Sequence, residues 1–142
     1  WRAEKSKRFY LLLKYKSIND EKGSHKYLDF VKGHLEKGEK EEETLIREIK
    51  EETNISKLEI LKGFKEKLKY FFKKDNQLIN KEVIYYLVKT EEKDIKISFE
   101  HEDFKWLTFE EALENINFKK SIDILKKAEK FLNNSLLKYS NI

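Results

Sequence analysis

The chain has 142 residues, with neither cysteine nor proline, and its 31 basic residues against 27 acidic ones leave a formal net charge of +4. This length suits a single domain, and the lack of cysteine excludes disulfides and thiolate metal sites. No apolar run approaches the roughly 18 residues that cross a bilayer, and no secretory signal is visible. We therefore expect one domain over residues 1–142, located in the cytoplasm and without a membrane partner.

The N-terminal part predicts two strands and a helix. Residues 8–16 mix aromatic and aliphatic side chains, as a strand buried on both faces does, and residues 27–31 form a shorter strand. The polar residues 17–26 between them predict a loop. Residues 40–53 predict a helix that ends at Asn54, a residue that tolerates the left-handed conformation. Its expected inward side chains are Leu45, Ile46, Ile49 and Thr53.

The C-terminal part predicts a hairpin, a strand and two helices. The hairpin has an extended segment over residues 58–72, with a kink at Gly63, then a turn over 73–80 and a strand over 81–89. A short strand leads to Thr108, which forms a capping box with Glu111. The remaining predicted elements are helices over 109–116 and 118–132. This order indicates an α/β domain with a mixed sheet and helices on both sides.

Three glutamates of the first predicted helix form an acidic cluster. Glu48, Glu51 and Glu52 lie within about a 100° arc, because positions three and four apart share a helix face. Carboxylates this close repel each other unless a cation lies among them, and hard cations such as Mg²⁺ prefer oxygen ligands. Arg47 can pair with Glu51. For the triplet taken alone, a solvated helix in a glutamate-rich chain is the favoured explanation.

The wider pattern favours the metal-binding interpretation. Gly33, Glu39 and the stretch "REIKEETNI" (47–55) resemble the Nudix box GX5EX7REUXEEXGU, where U is aliphatic, and only Asn54 departs from it. The resemblance implies an α/β/α sandwich that hydrolyses a nucleoside diphosphate linked to another group. It implies that Glu48 and Glu52 bind metal, with Glu51 contributing. Arg47 and Glu39 then serve the catalytic loop and helix, mainly by holding them together.

Three further stretches are similar to the asymmetrical diadenosine tetraphosphate hydrolases. "VKGHLEKGE" (31–39) is similar to their "PKGHxExGE", with Val31 in place of proline. The predicted hairpin resembles theirs, and "ISFEHEDFKWLTFEEALENINF" (97–118) is similar to their "LSxEHxxYxWLxxEEA". The aromatic residue expected shortly before the lysine is Leu28, although Tyr27 lies next to it.

This resemblance implies roles for residues outside the box. Glu100 becomes a further metal ligand and a candidate general base, whereas His101 beside it has either a structural or a catalytic role. The residues implied to contact the polyphosphate are Lys32, Lys81 and His34. Those implied to stack on adenine are Tyr70, Tyr85 and Phe118. Trp106 is expected in the core.

The resulting expectation is Mg²⁺-dependent hydrolysis of diadenosine tetraphosphate (Ap4A) to ATP and AMP, with Mn²⁺ as a substitute cofactor. An RNA 5′-pyrophosphohydrolase and a diphosphoinositol-polyphosphate hydrolase stay open as alternatives. A Nudix-fold binding module is disfavoured because all three glutamates of the cluster are present. The expected partner is a dinucleoside polyphosphate or another nucleotide, with no stable nucleic-acid partner, and the protein is expected to be a monomer.

Overall fold

A computed structural model describes residues 1–20, 23–32, 40–99 and 101–139. Within these ranges the side chains of residues 16–20, 23–25, 70, 72 and 135–139 are not described. The described elements are β1 (Arg2–Glu4), β2 (Lys7–Asp20), β3 (Gly23–Asp29), α1 (Glu41–Thr53), β4 (Glu59–Lys74), β5 (Gln77–Lys89), β6 (His101–Leu107), α2 (Phe109–Asn115) and α3 (Lys119–Tyr139). The predicted order is confirmed, with β1 as an additional strand. No helix in the described part is long and apolar enough to span a membrane.

Strand β2 is the centre of the larger sheet. It pairs with β1, β3 and β6, always antiparallel, and Leu13 lies opposite both Asp29 and Phe104. Strands β3 and β6 therefore flank β2 on opposite edges. A parallel bridge between Leu28 and Ile116 links β3 to the segment after α2. Strands β4 and β5 form a separate antiparallel hairpin.

The expected burial of β2 on both faces is confirmed. Leu12 and Leu13 are consecutive and both fully buried, although side chains alternate between the faces of a strand. Leu12 belongs to the main apolar cluster, together with Ala112 of α2 and Leu125 of α3. Trp106, expected in this core, is only half-buried, and its Nε1 donates a hydrogen bond to the carbonyl of Lys93 at 2.9 Å.

Two expected loops are largely strand. The prediction of a loop over 17–26 is wrong, because β2 continues to Asp20 and pairs with β3 from Gly23. Backbone pairing stabilises this hairpin despite its polar sequence. The turn expected over 73–80 is confined to Asp75 and Asn76, with φ of 52° and 61°. Positive φ at both central positions is typical of a tight hairpin turn.

The kink predicted at Gly63 is confirmed. Its φ is +95°, and the β4–β5 register shifts between Ile60 and Lys65, which marks a bulge. A Cβ at this position would lie 3.3 Å from Cε2 of Phe131. Glycine at this position therefore allows both the positive φ and the close approach of α3.

Helix α1 has the expected bounds but a rotated inward face. Its buried residues are Thr44, Ile49, Glu52 and Thr53. Ile46, expected among them, is exposed. Asn54 ends the helix with φ 62° and ψ 13°, and its N–H donates to the carbonyl of Lys50 at 2.9 Å. The left-handed cap predicted at Asn54 is therefore confirmed.

This cap gives a first testable prediction. Replacing Asn54 by alanine should lower the free energy of unfolding by about 1 kcal/mol, because a Cβ without a compensating polar group disfavours positive φ. Asn54→Gly is the matched control and should stay within about 0.5 kcal/mol of the parent, because glycine adopts this conformation freely. Urea unfolding followed by circular dichroism measures both. Equal stability of the alanine variant and the parent would contradict the prediction.

Candidate active site

Two of the three clustered glutamates lie on the inward side of α1. The side chains of Glu48 and Glu52 are 16% and 11% exposed, whereas that of Glu51 is 58% exposed. Residues four apart on a helix are neighbours, so Glu48 and Glu52 share one side, one turn apart. Glu51 therefore differs from the other two glutamates of the cluster in its exposure to solvent.

Arg47 joins Glu48 and Glu51. Its Nη1 lies 2.9 Å from Oε1 of Glu48 and 3.1 Å from Oε2 of Glu51. The pairing with Glu51 predicted from the sequence is confirmed, and Glu48 is an additional partner. The guanidinium supplies positive charge between two carboxylates that would otherwise repel each other.

The carboxylate of Glu52 faces a buried polar group. Its Oε1 lies 3.6 Å from Nε2 of His101, which is also buried. The ring of His101 packs edge-on against Tyr15, with centroids 4.7 Å apart. The Tyr15 hydroxyl donates to the carbonyl of Phe30 at 2.5 Å. Burial, and next the charges of Glu52 and Asp29, raise the pKa of Tyr15, so the phenol remains a protonated donor at neutral pH.

Local backbone features bring His101 to α1. The amide of Ser98 donates to the carbonyl of Glu52 at 3.2 Å, and the amide of His101 donates to the carbonyl of Ser98 at 3.1 Å. These bonds attach the segment before β6 to the last turn of α1. The β2–β6 register shifts after Lys14, which places His101 opposite Tyr15. Bulges of this kind re-aim side chains near functional sites.

Lys32 also lies near the ring of Tyr15. Its Nζ is 2.7 Å from Oδ2 of Asp29, 5.8 Å from the Tyr15 ring centroid and 5.7 Å from that of Phe118. Tyr27 stacks on Tyr15 and packs edge-on against Phe118, with both centroid separations at 5.1 Å. We call Lys32, Tyr15, Tyr27 and Phe118 the lysine–aromatic cluster. Tyr15 thus joins this cluster to His101, which lies beside the carboxylate of Glu52.

The segment between α2 and α3 positions Phe118 in that cluster. Asn117 Oδ1 accepts a hydrogen bond from the amide of Leu28 at 3.3 Å, next to the parallel bridge between Leu28 and Ile116. Tyr27 therefore lies where its ring meets Phe118. Neither Tyr15 nor Asp29 was identified as a site residue from sequence, because both contribute through contacts between elements distant in the chain.

The hairpin contributes a second group of predicted residues. Tyr70 and Lys81 are directly paired across β4 and β5, and Lys81 is exposed. The side chain of Tyr70 lies outside the described residues. Tyr85, on the same face of β5 as Lys81, is buried against Phe30, with ring centroids 6.4 Å apart. It also lines an apolar cavity of about 160 Å³. The structure therefore places Tyr85 in the core rather than on an accessible surface.

Three predicted site residues lie outside the described part of the chain: His34, Glu39 and Glu100. Among the residues that are described, no three histidine, aspartate or glutamate side chains come close enough to hold a metal ion. Glu48 and Glu52 nevertheless fit the requirements of a hard divalent cation. They offer oxygen atoms only, with little exposure, from adjacent turns of one helix.

Sequence comparisons identify relatives over most of the chain. The NUDIX domain family matches residues 2–127. The asymmetrical bis(5′-nucleosyl)-tetraphosphatase of Mus musculus is 39% identical over 105 residues, which cover 71% of this chain and 69% of that protein. The Caenorhabditis elegans protein of the same name is 36% identical over 104 residues, covering 71% and 72%.

Solved structures agree with these relatives. A binary complex of a C. elegans Ap4A hydrolase is similar with a TM-score of 0.74 and 31% identity, covering 94% of this chain and 92% of that one. An E. coli dihydroneopterin triphosphate pyrophosphohydrolase is similar in fold, with a TM-score of 0.65 at 16% identity over 89% and 88% of the chains. The α/β fold and the family resemblance expected from sequence are confirmed, and the chain belongs to the Nudix family.

Proposed function

We propose that this chain hydrolyses diadenosine tetraphosphate to ATP and AMP with Mg²⁺ as cofactor. The observation that carries the proposal is that Tyr15 lies near both a carboxylate site and a cation. Its ring packs against His101, which lies beside the little-exposed carboxylate of Glu52, and the ammonium of Lys32 lies 5.8 Å from the same ring. Such an arrangement suits a cation and a polyphosphate bound side by side. The relatives named as asymmetrical tetraphosphatases support this substrate.

The metal ligands proposed are Glu48, Glu52, Glu51 and Glu100. Nudix hydrolases generally use divalent metals. We propose Mg²⁺ here, with Mn²⁺ as a substitute, because the donor set consists of carboxylates. When bound, the ion neutralises phosphate charge and lowers the pKa of a bound water. His101 supports the inclusion of Glu100, since it is the next residue in the chain and lies beside Glu52.

The other proposed roles concern binding and proton transfer. Either Glu48 or Glu100 accepts a proton from the attacking water while the oxygen of that water forms a bond to phosphorus. The bridging P–O bond between the first and second phosphates then breaks, which separates AMP from ATP. Arg47 and Glu39 hold the helix and loop. The phosphate contacts are Lys32, Lys81 and His34, and the proposed adenine contacts are Phe118 and Tyr70, with Tyr27 in place of the buried Tyr85.

Product analysis tests this proposal. The protein is incubated with Mg²⁺ and either diadenosine tetraphosphate or 5′-triphosphorylated RNA, and the products are separated by ion-exchange chromatography. We expect equal amounts of ATP and AMP from the dinucleotide and only slow release of pyrophosphate from the RNA. Pyrophosphate from RNA with the dinucleotide left intact would reject the proposed substrate and favour RNA end processing. Omission of the metal, with EDTA present, should abolish turnover.

A lysine substitution tests the role of the hairpin. Lys81→Ala should raise KM for the tetraphosphate about tenfold, because one charge-assisted phosphate contact is lost, and should leave the melting temperature unchanged since Lys81 is exposed. Lys69→Ala is the matched control, because Lys69 is an exposed lysine of the same hairpin paired with Glu82, on the opposite face from Lys81. Steady-state kinetics measures both. Equal KM values for the two variants would remove Lys81 from the binding site.

We propose that residues 1–142 act as a single-domain monomer in the cytoplasm, with neither a membrane partner nor a stable nucleic-acid partner. Size-exclusion chromatography with light scattering tests the oligomeric state.

A further inference from the structure

We propose that Asp29 is a positioning residue, whose carboxylate holds the ammonium of Lys32 in the lysine–aromatic cluster, ready to contact a substrate phosphate. The inference rests on the proposed function, because it assigns Lys32 to the polyphosphate. Asp29 itself does not touch the substrate in this proposal. It acts through Lys32.

Asp29 is a buried and well-anchored carboxylate. Its side chain is 1% exposed, its Oδ1 accepts the amide of Phe30 at 2.8 Å, and its backbone lies opposite Leu13 at the end of β3. A buried carboxylate is costly unless it is paired with a cation and hydrogen-bonded. Lys32 provides that cation at 2.7 Å. The carboxylate of Asp29 therefore cannot move outward with Lys32 unless the end of β3 rearranges.

Lys32 is paired with a buried carboxylate, but part of its own side chain is accessible to solvent. Its side chain is 40% exposed, so one part of it reaches solvent while the ammonium is held by Asp29. An ammonium carries three N–H donors, so it can donate to Asp29 and to a phosphate at the same time. The Tyr15 and Phe118 rings lie within cation–π distance and restrict it further.

Holding Lys32 in place before binding should increase the affinity for the substrate. A lysine side chain is long and flexible, and ordering it on binding costs free energy that would otherwise contribute to affinity. The ion pair with Asp29 has already ordered it in the free protein. The negative charge of Asp29 also repels phosphate. Positioning is the larger effect, because the carboxylate is buried in the protein interior whereas the lysine that it holds reaches solvent.

A double-mutant cycle tests this inference. Asp29→Asn keeps the size of the side chain and removes its charge, and it should raise KM for diadenosine tetraphosphate about tenfold with little change in kcat. In the Lys32→Ala background, the same substitution should change KM less than about twofold, because nothing remains to be positioned. A lower KM in Asp29→Asn would mean that Asp29 competes with phosphate. An equal effect in both backgrounds would mean a purely structural role. Either result overturns the inference.

A second readout separates this inference from the proposed function. Calorimetry measures the affinity of the same four proteins for inorganic tripolyphosphate in EDTA. If the protein does not hydrolyse the tetraphosphate but Asp29→Asn still weakens tripolyphosphate binding only when Lys32 is present, the proposed function fails and the positioning role stands. If the parent is active and Asp29→Asn binds tripolyphosphate as tightly as the parent, only the positioning role fails.

A measurement on the parent protein covers the case in which Asp29→Asn does not fold. The Hε signals of Lys32, assigned with Lys32→Arg, should be shifted upfield by the Tyr15 and Phe118 rings in the free protein. Tripolyphosphate should perturb them without moving them to random-coil positions. Random-coil shifts in the free protein would show that Lys32 is not held, which overturns the inference.

Discussion

Glu52→Gln should lower the turnover of diadenosine tetraphosphate at least about a hundredfold while the protein stays folded. Removal of a residue that merely supports a metal ligand already costs roughly 10–100-fold, and Glu52 is proposed as a ligand itself. Its carboxylate is the most buried of the three in the cluster and lies on the inward side of α1. Glutamine keeps the length of the side chain but loses the charge that a divalent cation requires.

The reason for retained folding comes from the structure. The side chain of Glu52 is buried and lies beside His101. Glutamine fills the same space and still forms hydrogen bonds, and it removes a charge whose burial is costly. Alanine would instead leave a cavity, so Glu52→Ala should lower stability as well as activity.

The measurement is steady-state turnover combined with urea unfolding of each variant. Glu42→Gln is the matched control, because Glu42 is an exposed glutamate of the same helix. It should keep the parent's activity and stability. Turnover near the parent's rate in Glu52→Gln would reject Glu52 as a metal ligand. Unfolding of that variant would show that the charge has a structural role instead.

Features that depend on local sequence were predicted well. The bounds of α1 follow from apolar periodicity and from Asn54, whose left-handed cap the structure contains. The capping box of α2 is also present: the amide of Glu111 donates to Thr108 Oγ1 at 3.3 Å, and the amide of Thr108 donates to Glu111 Oε1 at 3.1 Å. The bond from the Thr108 amide, and next the one that the Thr108 hydroxyl donates to the same carboxylate oxygen at 2.9 Å, lower the pKa of Glu111. Each feature involves residues within one or two turns.

Features that depend on distant partners were missed. Strand β1 is three residues long and exists because it pairs with residues 7–9 of β2, so its own sequence gives no periodic signal. The polar ends of β2 and β3 are strands for the same reason. In the sequence, Tyr15 is an ordinary strand residue. In the structure, it contacts His101 and lies near both Glu52 and Asp29. Only the assembled sheet and helix show that position.

The helix α1 illustrates both cases within one element. Sequence spacing places Glu48, Glu51 and Glu52 in one arc, but it cannot fix how the helix rotates against the sheet. Packing turns Ile46 outward and Glu52 inward, because the last turn is held by hydrogen bonds from the segment before β6. The resulting difference between Glu48 and Glu51 has a direct consequence for activity.

Glu48→Gln should lower turnover by about a hundredfold, whereas Glu51→Gln should lower it less than about tenfold. Glu48 shares the inward side of α1 with Glu52, and two carboxylates one turn apart can hold the same cation. Glu51 contacts Arg47 but is more than half exposed. In solvent its charge is screened, so its contribution to a bound ion is smaller.

Arg47 makes the comparison sharper, because it contacts both glutamates. When the Glu51 charge is lost, Arg47 still pairs with Glu48, and the carboxylate of Glu48 on the inward side of α1 is retained. Loss of the Glu48 charge removes a proposed ligand and leaves Arg47 with the exposed glutamate. Turnover measured over a range of Mg²⁺ concentrations separates these cases: the Glu48→Gln defect should persist at saturating metal if Glu48 also accepts the proton from water, and should diminish if it is only a ligand. Equal defects in the two variants would show that Glu51 contributes as much to the bound ion as Glu48 does, and the smaller contribution inferred from its exposure would be wrong.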